Sequence, residues 1–460
     1  MRRPHDPSTN GSRLADIGSR PRAPKRARRG DVASTAKHTL RRVADGRLAH
    51  LPVTVQFWDG SVLEGEAPAG SRSSVGRSAS VVVANDRRAL AHLLHEPGQI
   101  GLARAWVDGS LTAGGDLEEV LSTRSVFGDV HLSLRDRLLL ALTAARAAGL
   151  VVLRRPPVPA IEAAPTGRRH SLARDRTAVR HHYDISNDFY RLVLGPSMTY
   201  SCAYFAAEED TLEEAQKHKL DLICRKLRLT PGERFLDVGC GWGSLALHAA
   251  ANYGVNAVGI TLSEAQARLA RDQAGAQRLT DRVEIRVADY RELVDPPFDK
   301  IASVGMYEHV GRSELDSYVQ TVSGLLRPGG LFLNHGIARV ASSPPTAPTF
   351  ISRYVFPDGE LHPVGDLMTS MQTAGLEVRD VESLREHYPI TLRRWVSNLL
   401  NRRDEAERLV GAERVRTWHL YMLASATAFD NAELGLYQVL GARHDGPHGL
   451  PLTRVDLLRA

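Results

Sequence analysis

Residues 235–244 read Phe-Leu-Asp-Val-Gly-Cys-Gly-Trp-Gly-Ser, and this stretch decides the fold. A short apolar run leads directly into three alternating glycines and then into a helix-forming segment, the pattern of a strand, a sharp turn and a helix start. Helical stretches begin near Ser244, Ser263 and Ser313, between further apolar runs. The predicted strands are Arg234–Val238, Asn256–Ile260, Val283–Val287, Lys300–Val304 and Leu331–His335. This alternation predicts a doubly wound, Rossmann-like α/β sheet that binds its ligand at the carboxyl ends of the strands.

The residues around the turn indicate which cofactor it binds. The glycines follow a GxGxG spacing, and Asp237, just before them, can order the turn or meet the amino group of a methionine moiety. A dinucleotide site needs an acidic residue at the end of the second strand. Residues 259–263, at the corresponding place here, contain no acid, and the first acidic residue after them is Glu264. Asp289 and Tyr290 end the third strand and suit the amino group and face of an adenine. The sequence therefore predicts S-adenosylmethionine in preference to a nicotinamide cofactor.

Composition and charge divide the chain of 460 residues into four predicted parts. Residues 1–42 carry twelve Lys and Arg against three acids and are predicted to be a disordered basic tail; attraction to anionic lipid is the functional alternative. Nucleic acid is not predicted as a partner, because no aromatic residues interleave the arginines. Residues 43–150 are predicted to form a smaller α/β accessory domain, 151–180 a Pro/Ala/Arg-rich linker, and 181–460 the catalytic domain.

Several classes of protein are excluded. No apolar run reaches the roughly 18 residues of a membrane span, and the N-terminus lacks a secretory signal, so a cytoplasmic location is expected. The three cysteines, Cys202, Cys224 and Cys240, match neither a zinc spacing nor a disulfide framework. No metal site is predicted.

Other motifs flank the glycine turn and carry Tyr, His and Glu side chains typical of substrate loops, with Glu308 as a candidate base. In order, the motifs along the domain are HHYDISNDFY (181–190), MTYSCAYF (198–205), FLDVGCGWGS (235–244), GITLSEAQ (259–266), SVGMYEHVG (303–311), LNHGI (333–337), YVFPDGEL (354–361) and HYPITLRRW (387–395). With these motifs the chain resembles the cyclopropane-fatty-acyl-phospholipid synthases and the related mycolic-acid methyltransferases. The segment 96–115 also resembles the N-terminal domain of the phospholipid-acting members.

The resemblance implies a class I S-adenosylmethionine methyltransferase domain that transfers the sulfonium methyl to a cis double bond of a phospholipid acyl chain. An alkene is a poor nucleophile without an acidic proton, so the enzyme must hold the methyl group and the alkene close and in line. It must also tolerate the carbocation that forms. The aromatic faces of Tyr307, Phe356 and Tyr388 are candidates to stabilise that cation, with core packing as the alternative.

The resemblance further implies two sets of site residues. A bound bicarbonate accepts the proton lost by the new methyl group, and the positions matching its site are Cys202, Glu308, His335, Ile337 and Tyr388, with Cys202 and Ile337 acting through backbone groups. The positions matching the cofactor site, in addition to Asp237, are Tyr200, Ser201, Gly239, Gly241, Thr261, Gln266, Asp289 and Tyr290.

Three other functions stay open at this point. The same cation can lose a different proton and give a methylene-branched chain; the acceptor can be a soluble small molecule; or the protein can bind lipid without catalysis. The expected partner is unsaturated phospholipid at the inner face of the membrane, and a homodimer is left open. Residues 344–363 are predicted to form a lid or acyl-chain wall, and helices are predicted near 405–423 and 424–439.

Overall fold

The structure, a computed structural model, describes two α/β domains. Described are residues 31–43, 51–65, 80–123, 133–163, 169–171, 174, 185–340 and 349–455. The first domain contains α1 (Val32–Leu40), β1 (Thr54–Phe57), β2 (Val62–Leu63), β3 (Val81–Ala84), α2 (Arg88–His95), α3 (Gln99–Val107), β4 (Leu111–Ala113), α4 (Leu117–Ser122), α5 (Leu134–Ala148) and a 3₁₀ turn (Leu150–Leu153). Its sheet has the order β2-β1-β3-β4, with β1 and β3 parallel.

Helix α1 corrects the prediction of a disordered tail. Asp31 caps it by accepting a 2.8 Å hydrogen bond from the Ser34 amide, and Val32 and Ala33 are buried in the core of the first domain. Disorder is therefore the wrong prediction for this segment, because two small apolar side chains behind an Asp cap suffice to dock a helix. Residues 1–30 of the predicted tail lie outside the described residues.

The second domain is built on a seven-stranded sheet. Its helices are α6 (Asn187–Leu194), α7 (Leu212–Lys226), α8 (Ser244–Tyr253), α9 (Glu264–Ala276), α10 (Leu315–Leu325), α11 (Phe350–Tyr354), α12 (Val364–Thr373), α13 (His387–Asn401), α14 (Arg403–Val410) and α15 (Ala412–Asp430). Its strands are β5 (Arg234–Val238), β6 (Asn256–Thr261), β7 (Val283–Val287), β8 (Phe298–Val304), β9 (Leu326–Arg339), β10 (Leu376–Ser383) and β11 (Leu434–Arg443). The strand order is β10-β11-β9-β8-β5-β6-β7.

The doubly wound sheet is confirmed, since β5 to β9 pair in parallel and α-helices connect them, except that a 3₁₀ turn joins β7 to β8. Strand β11 runs antiparallel to both β9 and β10. The helix predicted near 424–439 is wrong in its second half. The chain turns at Ala432, whose φ is 55°, and the apolar residues that follow form β11, which hydrogen-bonds to a strand on each side. Within the described ranges, no helix is both long and apolar enough to cross a bilayer.

One buried carboxylate from the predicted linker joins the two domains. The Glu162 side chain is 5% exposed and accepts two 2.8 Å hydrogen bonds from Arg104 of α3. It also accepts hydrogen bonds from Arg353 (3.0 Å) and from the hydroxyl of Tyr354 (2.7 Å), both in α11. The two guanidinium groups hold the pKa of Glu162 below its usual value against the opposing effect of burial. Residue 162 is therefore an anchor between α3 and α11 and not a free linker position.

We expect Glu162→Ala to lower the free energy of unfolding by about 3 kcal/mol, because it leaves the Arg104 guanidinium buried without its main partner. Urea unfolding followed by tryptophan fluorescence measures the change. The control is Glu377→Ala, which removes a half-exposed partner of Arg379 and should cost less than about 1 kcal/mol. Equal losses in the two variants would contradict the anchoring role.

Candidate active site

The glycine turn after β5 is fixed by the neighbouring strand. The amides of Gly239 and Cys240 both donate to the Ile260 carbonyl of β6, at 3.0 and 2.8 Å. Gly239 has a φ of 78°, and a Cβ there would lie 3.1 Å from the Met306 side chain. A side chain at position 239 would therefore strain the backbone and collide with the loop after β8. The turn leaves an open cavity at the carboxyl ends of β5 to β8.

All nine residues predicted to bind the cofactor line this cavity. They are Tyr200, Ser201, Asp237, Gly239, Gly241, Thr261, Gln266, Asp289 and Tyr290. They come from the ends of β5, β6 and β7, from the start of α9 and from the segment between α6 and α7, so residues 90 positions apart in the sequence line one cavity. The cavity lies where a doubly wound sheet binds its ligands.

The inner end of the cavity holds two buried charges. Asp237 is 2% exposed, its Oδ2 has no hydrogen-bond partner among the described residues, and burial raises its pKa to about 7 although Lys219 opposes the shift. Lys219 of α7 is 1% exposed and donates a 2.8 Å hydrogen bond to Ser201 Oγ. Burial lowers the pKa of Lys219 to about 8. Both groups line the cavity and interact electrostatically with each other, and neither forms a salt bridge within the described part of the chain.

Lys219 is a residue that the sequence prediction missed. It stands one helical turn from Ala215 and from Ile223, both fully buried, so its position on α7 belongs to the apolar face. A lysine on that face is a signal in the sequence, because an ammonium group is rarely buried without an anionic or polar partner.

Other residues of the cavity lining are polar and already hydrogen-bond to side chains of the protein. The Thr261 hydroxyl donates to Gln266 Oε1 at 2.7 Å. Asp289 accepts two hydrogen bonds from the Arg291 guanidinium, at 2.8 and 2.7 Å, and Tyr290 packs edge-on against Tyr318. The carboxylate predicted to face an adenine therefore already has a cationic partner.

The five residues predicted for proton removal lie outside the cavity lining. The loop between β8 and α10 separates the two regions: Met306 and His309 face the cavity, whereas Glu308 reaches β9. Glu308 Oε1 accepts a 2.7 Å hydrogen bond from the Ile337 amide, and the Tyr307 hydroxyl donates to the Ile337 carbonyl, also at 2.7 Å. Adjacent residues of one 3₁₀ turn thus bind both backbone groups of residue 337.

His335 lies two residues before Ile337 on β9, so the two side chains leave the same face of the strand. Its Nδ1 is 3.2 Å from the Gln438 amide nitrogen. With that nitrogen donating, Nδ1 is the acceptor and Nε2 carries the ring proton. Neither His335 Nε2 nor Glu308 Oε2 has a partner among the described residues, although both are buried. We call these two buried atoms the polar site, and each can take a further hydrogen-bond partner.

Electrostatics makes this polar site suitable for an anion. Burial raises the pKa of Glu308 to about 7, so its carboxyl group can hold a proton near neutrality. Burial, together with the nearby charges of Lys219 and Lys226, pushes the pKa of His335 well below its usual value and keeps the ring neutral. Both groups can then donate a hydrogen bond, as the binding of a small oxyanion requires.

The segment around Cys202 is held by α13. Thr391 Oγ1 accepts a 3.1 Å hydrogen bond from the amide of Ala203 and lies 4.0 Å from Cys202 Sγ. Tyr388, one turn earlier on the same helix, packs against Phe429 with ring centroids 4.8 Å apart. Burial raises the pKa of the Cys202 thiol, so it remains protonated and is a poor nucleophile.

Aromatic rings connect the cavity to the predicted lid. Tyr200 stacks near Trp395 and Trp418, and its hydroxyl donates to that of Tyr421 at 3.2 Å. Phe356 lies between Tyr421 and His309, with ring centroids 5.7 Å from each. The part of the predicted lid that the structure describes, residues 349–363, is helix α11 and its continuation, with Phe350, Tyr354 and Val355 buried in this cluster.

We expect Glu308→Gln to stabilise the ligand-free protein increasingly as the pH rises. The folded protein keeps the Glu308 proton up to a pKa of about 7, whereas the unfolded chain loses it near the ordinary carboxyl pKa. The parent therefore loses stability as the pH rises between these two values, and the amide of the variant does not titrate. The gain should approach about 3 kcal/mol near pH 8 and vanish near pH 4.5. Urea unfolding in bicarbonate-free buffer measures it. Exposed Glu209→Gln is the control, and a pH-independent difference for Glu308→Gln would contradict the assignment.

Comparisons with known proteins agree with this geometry. The family model for mycolic acid cyclopropane synthetase matches residues 170–439. A probable fatty acid methyltransferase of Pseudomonas putida is 40% identical over 89% of this chain and 97% of its own length. The cyclopropane-fatty-acyl-phospholipid synthase of Escherichia coli K12 is 38% identical over 57% of this chain and 67% of its own length.

A solved structure shares the fold of the second domain. The mycolic acid cyclopropane synthase CmaA1, complexed with SAH and CTAB, superposes with a TM-score of 0.55 at 32% identity, covering 58% of this chain and 98% of its own. The family match spans more than half of the chain, and the cavity at the glycine turn lies where this class of enzyme binds its cofactor. The chain therefore belongs to the mycolic acid cyclopropane synthetase family and is an S-adenosylmethionine-dependent C-methyltransferase.

Proposed function

We propose that this enzyme transfers the methyl carbon of S-adenosylmethionine to the cis double bond of an unsaturated phospholipid acyl chain and closes a cyclopropane ring. The observation that carries the proposal is the pair of buried, unpartnered atoms Glu308 Oε2 and His335 Nε2, separated from the cofactor cavity by one loop. A simple methyl transfer to an amine or hydroxyl has no need of a second, anion-binding polar site. Such a site suits a reaction that must remove a proton from carbon.

In this proposal the buried charges of the cavity recognise the methionine part of the cofactor. Asp237 binds the ammonium group, and Lys219 binds the carboxylate together with Ser201, to which it is already hydrogen-bonded. Thr261 and Gln266 bind the ribose hydroxyls in place of the acid that dinucleotide enzymes use. Because Asp289 is paired with Arg291, the ring of Tyr290 is the principal contact for the adenine.

The chemistry requires close positioning and a surface that tolerates positive charge. The cofactor supplies an electrophilic methyl group; a carbon–carbon bond forms as the sulfur–carbon bond breaks, leaving a carbocation on the acyl chain. His309, Phe356 and Tyr421 extend an aromatic wall from the cavity toward α11, and their ring faces stabilise a cation without offering a reactive lone pair. Tyr307 is less available for this role, because its hydroxyl is bound to Ile337.

The polar site then serves the loss of a proton from the new methyl group. We assign bicarbonate to it, held by the Glu308 carboxyl, the His335 Nε2–H and backbone groups near Cys202 and Ile337, with Tyr388 at its edge. The unpartnered buried atoms and the neutral ring fit an oxyanion that needs donors. Glu308, with its pKa raised to about 7, can pass a proton between the anion and solvent.

A second product has its own support. The relative from Pseudomonas putida that aligns with 89% of this chain is named a probable fatty acid methyltransferase. In the same intermediate, a 1,2-hydride shift can move the cation to the carbon that carries the new methyl group. Loss of a proton from that methyl group then forms a carbon–carbon double bond and gives a methylene-branched chain. The enzyme would act at the same acyl double bond to give either product. For both products it would act as a peripheral protein at the inner face of the membrane.

We expect Lys219→Met to weaken the binding of S-adenosylhomocysteine by about 10- to 100-fold, because a charge-assisted hydrogen bond to the carboxylate is lost. Calorimetry with S-adenosylhomocysteine and with its decarboxylated analogue isolates that contact. The parent should bind S-adenosylhomocysteine much more tightly than the analogue, and the variant should bind the two ligands with nearly equal affinity. Lys226→Met is the matched control, since Lys226 lies on the same helix but pairs with Glu382. Undiminished discrimination in Lys219→Met would overturn the assignment.

Incubation of the parent enzyme with labelled S-adenosylmethionine and oleoyl-phospholipid vesicles should yield a cyclopropane chain that resists hydrogenation. A methylene-branched product would be saturated by hydrogenation and would select the second candidate. Glu308→Gln and His335→Ala should lower turnover by about 100-fold or more while leaving affinity for S-adenosylhomocysteine within about threefold. Parallel losses of turnover and cofactor affinity would argue against a proton-removal site, and absence of any lipid product would sink the proposed function.

A further inference from the structure

Helix α5 of the first domain presents its leucines to solvent. Leu134, Leu138 and Leu142 are 85%, 62% and 47% exposed, and their spacing of four residues places them on one side of the helix. The opposite side, which contacts the rest of the domain, contains the small residues Ala144 and Ala148, 8% and 2% exposed. A surface helix of a soluble domain normally has the reverse arrangement, with large apolar residues turned inward.

The apolar surface continues past the end of the helix. In the 3₁₀ turn that follows Gly149, Val152 is 1% exposed and anchors the segment, while Leu150 and Val151 are 77% and 58% exposed. Leu153 is 47% exposed. We call the six exposed side chains the leucine face; its members are Leu134, Leu138, Leu142, Leu150, Val151 and Leu153. Scattered exposed apolar residues are common, but six large ones within 20 residues are a concentration typical of an interaction surface.

Cations border the leucine face. Residues 133–159 contain five arginines and one aspartate: Arg135, Arg137, Arg146, Arg154, Arg155 and Asp136. Asp136 is engaged in capping the helix, since it accepts a 3.0 Å hydrogen bond from the Ser133 amide. Arg135 lies three residues from Leu138, and Arg146 lies four residues from Leu142, so both arginines flank the exposed leucines. Apolar side chains edged by arginine are typical of helices that lie in a membrane interface.

We propose that the leucine face docks on a membrane surface that carries anionic lipid head groups. The leucines enter the boundary of the acyl chains, and the arginines bind phosphates at the level of the head groups. Charge argues against a second copy of this chain as the occupant, because two such faces would bring like charges together. The reason for docking rests on the proposed function, since the acceptor double bond lies within a bilayer, but the surface itself can be tested without turnover.

The test is flotation of the full-length protein with vesicles of phosphatidylcholine and phosphatidylglycerol. We expect the double variant Leu138→Glu/Leu142→Glu to lower the vesicle affinity by about tenfold or more, because it removes two insertion points and adds repulsion from the lipid charge. Binding of the parent should fall in high salt and with pure phosphatidylcholine. The matched control is Leu400→Glu/Leu409→Glu, two leucines of the second domain with 41% and 40% exposure, which should float like the parent.

Other readouts separate this proposal from the proposed function. With substrate dispersed in detergent micelles, Leu138→Glu/Leu142→Glu should retain the turnover and cofactor affinity of the parent. A parent that floats but makes no lipid product supports docking and refutes the proposed function. The docking proposal is overturned if the double variant floats like the parent, or if light scattering shows a parent dimer that the two substitutions dissociate.

Discussion

A single backbone acceptor, the Ile260 carbonyl, organises the active site. Because it binds two consecutive amides, those of Gly239 and Cys240, the turn after β5 is held against the end of β6. This contact requires the positive φ of Gly239 and fixes the positions of Asp237 before the turn and of Thr261 after the neighbouring strand. One main-chain feature thus fixes residues on two sides of the cavity. The side chains that line the cavity are then held in place by short, local hydrogen bonds.

The second constraint is the energetic cost of buried polar groups without partners. Asp237, Glu308 and His335 each have an unpartnered buried atom in the described part of the chain, and burial shifts the pKa of each toward its neutral form. Groups in this state are stabilised by a ligand that restores their hydrogen bonds. These groups lie in two neighbouring regions of the structure, on either side of the loop that carries Met306 and Glu308. In the proposed function, the cofactor and the proton acceptor therefore bind to different side chains.

The sequence predicted the parts of the structure that repeat a local pattern. β5 and β7 have the predicted bounds, and β6 and β8 differ by one or two residues, because parallel buried strands are short apolar runs between turn signals. The antiparallel β11 was missed, because a helix was predicted near 424–439. The apolar residues of β11 show no periodicity that distinguishes a strand from a helix, and its pairing with β9 is non-local.

The site could be predicted only in part. The positions that line the cavity followed from motifs, but the Asp289–Arg291 pair and the charge of Lys219 on a buried helix face depend on packing that only the folded chain reveals.

Several contacts connect the two domains, among them Arg393 with Glu118, Trp106 with the Arg416 carbonyl, and one buried carboxylate. Glu162 binds Arg104 of the first domain and, with the same two oxygens, Arg353 and Tyr354 of α11. Helix α11 leads directly to Phe356, which contacts His309 at the rim of the cofactor cavity. Since a buried, multiply bonded carboxylate resists displacement, a shift of α3 must move α11 or break several hydrogen bonds at once. The aromatic wall of His309, Phe356 and Tyr421 is therefore connected through α11 to the domain that also displays the leucine face, so its position depends on the first domain as well as on the seven-stranded sheet.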